Sequence, residues 1–217
     1  MQKNKSQQTL NSFDEIMKNS VYNPYITEPI HHVTSQVAGI CYHLPNSDSP
    51  QPEKWILNDN NIISLHNHLA TEAALIIIPL CDKQLEEWID DPERYLHLQD
   101  ARVRIGINYR NLKAHQEKLL ELINAYRFWL FDFAPPGADW DLVESFPFSA
   151  IVLSHAFFND NYRKFTFPFI IESLRGKGAE VIVRGYEPAL TAEKLVALNI
   201  SGWQLQRASG DLIPFTL

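Results

Sequence analysis

Phe131-Asp132-Phe133-Ala134 is followed by Pro147-Phe148-Ser149-Ala150-Ile151-Val152-Leu153-Ser154-His155-Ala156-Phe157. The two stretches read as strands over Phe128 to Phe133 and Ala150 to Ser154, with a short helix over Asp139 to Ser145 between them. Each strand reaches its end with only one polar side chain, Asp132 or Ser154, in an apolar frame. The aromatic residues Tyr126, Phe128, Trp129, Phe131 and Phe133 read as core.

Outward from this pair, strand and helix patterns alternate. Tyr25 to Ile30 and Gln36 to Leu44 read as two strands joined by a turn, and Pro45 to Pro52 as a loop. A helix is expected over Asp59 to Ala70, then a buried strand in Ala73 to Leu80, of the kind found in parallel sheets covered on both faces. Asp82 is positioned to cap the next helix, with Leu85 and Trp88 facing inward. Strands follow at Arg102 to Ile107, Glu180 to Arg184 and Gly202 to Leu205, and helices at Leu112 to Ala125, Asn161 to Arg175 and Thr191 to Leu198. Repeated β-α units numbering about eight strands favour an α/β barrel over a doubly wound sheet. Residues 1–21 are polar and read as a tail or an added helix, and 22–217 as the domain.

Bulk properties narrow the function classes. With 45% hydrophobic and 12% aromatic residues, the chain can build a packed core. No apolar run is long enough to span a bilayer, and the first residues lack a signal-peptide centre, so no membrane role is expected. Two cysteines, Cys41 and Cys81, make no disulfide framework and fit a cytoplasmic setting. A net charge of −7 opposes broad contact with a nucleic-acid backbone. Local basic groups exist at Arg102 with Arg104 and at Arg163, Lys164 and Arg175, all expected on solvated faces.

The stretch from Phe131 to Phe157 resembles the EAL family of cyclic-di-GMP phosphodiesterases, in which a strand ending Asp-Asp-Phe-Gly precedes one carrying Lys-Ile-Asp-Arg-Ser-Phe. In a gap-free register Phe131 stands for the first Asp, Asp132 is kept, Val152 stands for the Lys and Ser154 for the next Asp. The stretch from Gly178 to Pro188 resembles Ala-Glu-Gly-Val-Glu-Thr, with Arg184 in place of the first Glu and with Gly185 and Glu187 matching. Trp203-Gln204-Leu205 resembles a last-strand Gln-Gly, with Gln204 kept. Upstream, Cys41 takes the place of the name-giving Glu, Pro45 that of an Arg, Pro79 that of a ligand Asn and Asn108 that of a ligand Glu. The resemblance runs from about residue 22 to 214 and implies a compact TIM-like (β/α)8 barrel with one antiparallel strand.

The resemblance also implies a reaction centre and its loss. Hydrolysis by the family is thought to use two divalent ions on carboxylates, which hold the attacking and the leaving oxygen. Mg²⁺ and Mn²⁺ take oxygen ligands. Cys41, Pro79, Phe131 and Asn108 are a poor donor set, Val152 removes an amine, and Arg184 adds positive charge. The vestigial site of Cys41, Pro79, Asn108, Phe131, Asp132, Val152, Arg184, Glu187 and Gln204 is therefore expected to hold no metal, no cofactor and no catalytic residue.

The favoured function is an inactive, EAL-like regulator of bacterial signalling, motility or biofilm control that binds a protein partner. The similarity extends to compact flagellar anti-activators that sequester a transcription regulator. Alternatives are a non-hydrolysing cyclic-di-GMP receptor and a residual phosphodiesterase. Plainer readings stand beside these. Asp132 and Glu187 can persist by bonding Arg184 or backbone, and the cysteines as small buried residues, against a zinc site with His43 and His155. Pro135-Pro136-Gly137 reads as a stiffened loop. Phe157, Phe158, Phe165, Phe167 and Phe169 are more aromatic surface than one helix face normally buries.

Overall fold

The computed structural model describes residues 26–34, 37–43, 75–134, 136–185 and 190–206. The expected tail, the loop at 45–52, the helix at 59–70, and Tyr25, Pro45, Pro135 and Glu187 lie outside the described residues.

Eight strands close into a barrel in sequence order: β1 (Ile26–His32), β2 (Val37–His43), β3 (Leu75–Pro79), β4 (Val103–Asn108), β5 (Phe128–Phe133), β6 (Ala150–Leu153), β7 (Glu180–Gly185) and β8 (Gly202–Leu205). Strand β1 runs antiparallel to both neighbours, β2 and β8, and every other pairing is parallel. The helices between parallel strands are α1 (Asp82–Asp90), α2 (Tyr109–Leu122), α3 (Trp140–Ser145), α4 (His155–Asn161), α5 (Phe167–Arg175) and α6 (Ala192–Ala197).

Alternation along each strand divides the apolar residues into two cores. Ile30, Cys41, Ile77, Trp129, Phe131, Ala150, Val152 and Ile182 fill the lumen. Ile76, Ile78, Ile105, Ile107, Phe128, Leu130, Ile151, Leu153, Val181 and Val183 face outward into the layer under the helices. Burial on both faces is why these strands read as continuous apolar runs.

Helix boundaries depart from the sequence reading for identifiable reasons. Cys81, not Asp82, is the cap of α1: its N–H donates to Gln84 Oε1 at 3.0 Å, and Asp82 is the first helical residue, paired with Arg110. Of the expected helix over 161–175 only Phe167–Arg175 is helical, as α5; residues 162–166 form turns, and α4 over His155–Asn161 lies where the sequence reading placed no helix. Pro168 sits in the first turn of α5, where its missing N–H costs nothing, whereas in a continuous helix its ring would strike a carbonyl four residues back. A 3-10 segment at Pro92–Gln99, not expected from sequence, buries Tyr95 and Leu98. Arg104 is half-buried rather than solvated; it donates to the carbonyls of Ala101 and Val103, and burial, then the nearby Arg127, lowers its pKa.

Phe131 and Gly106 are fitted to each other. A Cβ on Gly106 would lie 2.8 Å from Phe131 Cδ2 and 2.9 Å from the Pro79 Cα. The Phe131 ring therefore occupies the volume that a side chain on β4 would need, and it stacks on Trp129 with centroids 6.2 Å apart. Gly106→Ala should cost about 1–3 kcal/mol through overpacking, and Phe131→Ala about 3–5 kcal/mol through a cavity. The double variant, compared by denaturant unfolding, should lose clearly less than the sum.

Candidate functional site at the carboxyl ends of the strands

In closed α/β barrels the carboxyl ends of the parallel strands converge on one mouth. Here they bring together Pro79, Asn108, Phe131, Asp132, Ser154, Arg184 and Gln204. The antiparallel β1 contributes its amino-terminal half to the same end, placing Glu28 opposite Cys41. Gln204 is in register with Ile30 on one side and Arg184 on the other.

At the centre is an ion cluster around Arg184. Its Nε and Nη2 donate to the two carboxylate oxygens of Glu28, each at 2.9 Å, a bidentate fork. Its Nη1 donates to Asp132 Oδ1 and Oδ2 at 3.2 and 3.3 Å. Gln204 Nε2 donates to Glu28 Oε2 at 2.6 Å. The Glu28 side chain is 2% exposed, Arg184 16% and Asp132 55%, so the pair is buried and the third member reaches the rim. Burial alone would lower the Arg184 pKa, but the hydrogen bonds and charge of Glu28, then those of Asp132, hold it above its ordinary value.

Asp132 reaches Arg184 through a backbone irregularity. The β5–β6 register shifts between Leu130 and Phe133, and Asp132 takes φ 48° in the left-handed region. A bulge of this kind re-aims one side chain while returning Phe133 to the outer core, against Tyr109 and Trp140. Such a conformation costs on the order of 1 kcal/mol and persists when the surroundings fix it.

The remaining positions have other occupations. Asn108 Oδ1 accepts from the Asn111 N–H at 2.8 Å and caps α2, which therefore begins before the expected Leu112. Ser154 Oγ accepts from the Phe157 N–H at 3.3 Å and caps α4. Val152 is fully buried in the lumen, and Pro79 presents no donor. Cys41 is buried beside Glu28, and burial, then the Glu28 charge, pushes its thiol well above the ordinary 9.0. Cys81 lies exposed at the start of α1, so the two thiols belong to different environments. Among the described residues no three His, Cys, Asp or Glu side chains are grouped to hold a metal ion. At the rim the His155 ring lies over Gly185, where a Cβ would sit 2.6 Å from His155 Cδ2.

No family model matches the chain. No curated protein matches it either. Solved structures do match. The PaMucR phosphodiesterase in complex with c-di-GMP superposes with TM-score 0.67 at 16% identity, over 83% of this chain and 92% of that one. The Bacillus subtilis YkuI protein, with an EAL domain and in complex with c-di-GMP and calcium, gives TM-score 0.61 at 15% identity, over 87% and 54%. The Vibrio cholerae LapD S helix-GGDEF-EAL structure bound to c-di-GMP gives 0.63 at 12% identity, over 92% and 56%. The fold is that of an EAL domain. The chain spans about half the length of the YkuI and LapD chains. At these identities the likeness concerns the EAL barrel, not the chemistry of its mouth.

Glu28 was absent from the residues singled out by sequence. Its signal was an acid two positions before Ile30 in a strand, on the face that fills the lumen. Removing one partner of a buried pair leaves an uncompensated charge. Arg184→Met should thus lower stability by about 3–5 kcal/mol, and adding Glu28→Gln should recover most of it. Equal losses in the single and double variants, by urea unfolding, would count against the pair.

Alkaline pH supplies a second check. Burial, then Cys41, raises Tyr42 from 10.0 to about 12, so between these values the unfolded chain releases a proton that the folded chain keeps. Folded-state values above unfolded ones mean that stability falls as pH rises. Tyr42→Phe should flatten the decline of stability measured from pH 10 to about 12.

Proposed function

We propose that this EAL-type barrel is a regulatory protein-binding module without phosphodiesterase activity. The observation that carries the reading is the Arg184 guanidinium, clamped 2.9 Å from both Glu28 oxygens at the position where the family resemblance expects a ligand Glu. Ligation of a divalent ion by Glu28 would first require that guanidinium to be displaced from both carboxylate oxygens. The side chains do not fit paired divalent ions. Glu28 and Asp132 are bound to Arg184, Asn108 and Ser154 cap helices, and Phe131 and Pro79 bring no donor.

What then supports a role through the exterior is the retention of a closed, densely packed scaffold around a mouth occupied by its own side chains. In a bacterial cytoplasm such a barrel conveys information by contact with a protein, as in the flagellar anti-activators it resembles. Two other readings keep the nucleotide: a non-hydrolysing receptor and a residual phosphodiesterase. Both are favoured by the c-di-GMP named in the MucR, YkuI and LapD structures.

One titration and one assay separate the three. With Mg²⁺ or Mn²⁺ present, c-di-GMP should survive prolonged incubation with the protein, and calorimetry should register no binding at micromolar nucleotide. Heat without turnover would establish the receptor; turnover would establish the enzyme.

A further inference from the structure

Helix α5 turns Phe167, Ile171 and Leu174 into the core and leaves Phe169 exposed. Phe165, in the turn before it, is also exposed, whereas Phe157 and Phe158 of α4 are buried. The carboxyl-terminal end of α5 meets that of α3 across a cavity of about 310 Å³, at the lower end of small-molecule sites, which span roughly 300–1,000 Å³. Helices α3 and α5 finish shortly before β6 and β7 begin, so the cavity lies at the amino ends of those strands, away from the Arg184 cluster at the mouth.

The floor of the cavity is apolar. Phe146, Phe148, Ile151 and Leu174 line it, all four buried, with the Phe146 and Phe148 ring centroids 4.6 Å apart. Its walls carry two charges of opposite sign, Glu144 from α3 and Lys177 from the turn after α5, and no other charged residue lines it. Ser173 on α5 donates to Glu144 Oε1 and ties that carboxylate to the wall. Lys177 Nζ donates to the Ser145 carbonyl at 3.5 Å, reaching back to the end of α3. Among the described residues neither charge is in an ion pair, so carboxylate and ammonium face one cavity without closing on each other. The neighbouring Arg175 is engaged elsewhere, donating to the Asn199 carbonyl and to Ser201 Oγ.

We propose that this cavity binds a free apolar α-amino acid of the phenylalanine or leucine kind. Its side chain seats on the aromatic floor, its α-ammonium faces Glu144 and its α-carboxylate faces Lys177. Both head groups then make charge-assisted hydrogen bonds at the wall. A fatty acid would bring a carboxylate up to Glu144, and an amine would bring an ammonium up to Lys177, so each leaves one wall charge set against a like charge or unmatched. A zwitterion on a single α-carbon answers both walls, and the buried rings select an apolar side chain over a polar one.

None of these residues belongs to the barrel mouth, so the site is independent of the protein-binding reading. The test is calorimetric titration of the full chain with L-phenylalanine and L-leucine. At least one should bind with a Kd on the order of 1 mM or tighter. Glycine, 3-phenylpropanoate and 2-phenylethylamine, which lack the side chain, the ammonium and the carboxylate respectively, should each bind about tenfold more weakly or not at all. Glu144→Gln and Lys177→Met, both at exposed positions, should each weaken the amino acid about tenfold with unchanged circular dichroism. Absence of binding by both amino acids overturns the inference. Equal binding of 3-phenylpropanoate or 2-phenylethylamine overturns the zwitterion, and binding kept by both variants overturns the site.

Discussion

The ion cluster at the barrel mouth is arranged around one largely buried guanidinium, that of Arg184. A carboxylate as enclosed as that of Glu28 cannot stay ionised without a partner of opposite charge, because desolvation of a lone ion costs several kcal/mol. Arg184 supplies that partner from two strands away, and its planar fork meets both oxygens at 2.9 Å. Gln204, on the intervening strand, donates to one of the same oxygens and ties β1, β8 and β7 together through side chains. The antiparallel strand, which departs most from a regular α/β barrel, is thereby anchored by charge as well as by its backbone ladder.

The mouth is polar at its edge and apolar beneath. Asn108 and Ser154 direct their oxygens at helix N-termini, satisfying N–H groups that have no partner within the helix. Phe131 closes the space between Pro79 and Gly106, so the lumen below is a packed core and not a cleft. Among the described residues of the central cluster, Asp132, carried outward by a bulge, offers the half-exposed charge at the rim.

The strands were legible because the barrel buries both of their faces: Phe128 to Phe133 and Gly202 to Leu205 coincide with the observed spans. The Asp132–Arg184 pair was also within reach of the sequence, since Arg184 stands for an acid in a known frame in which Asp132 is kept. Glu28 was not, because its partner lies 156 residues away and strand alternation alone does not say which charge faces it. The break before α5 was not read: the helix was begun at Asn161, where α4 ends, although Pro168 marks the first turn of α5, and the cap of α1 was assigned to Asp82 when Cys81 and Gln84 share it. The five phenylalanines could not be apportioned between core and surface until the break fixed where each helix turns.

The close fit of the Phe131 ring on the Gly106 backbone carries a lesson about heredity. Neither residue can change alone without leaving a void or a collision, so the pair must be exchanged together. An aspartate at position 131 would leave a hole above the glycine, and a glutamate at 184 would be set against Glu28. Such an arrangement acts as a ratchet: each single exchange passes through a less stable fold, whichever of the two residues moves first.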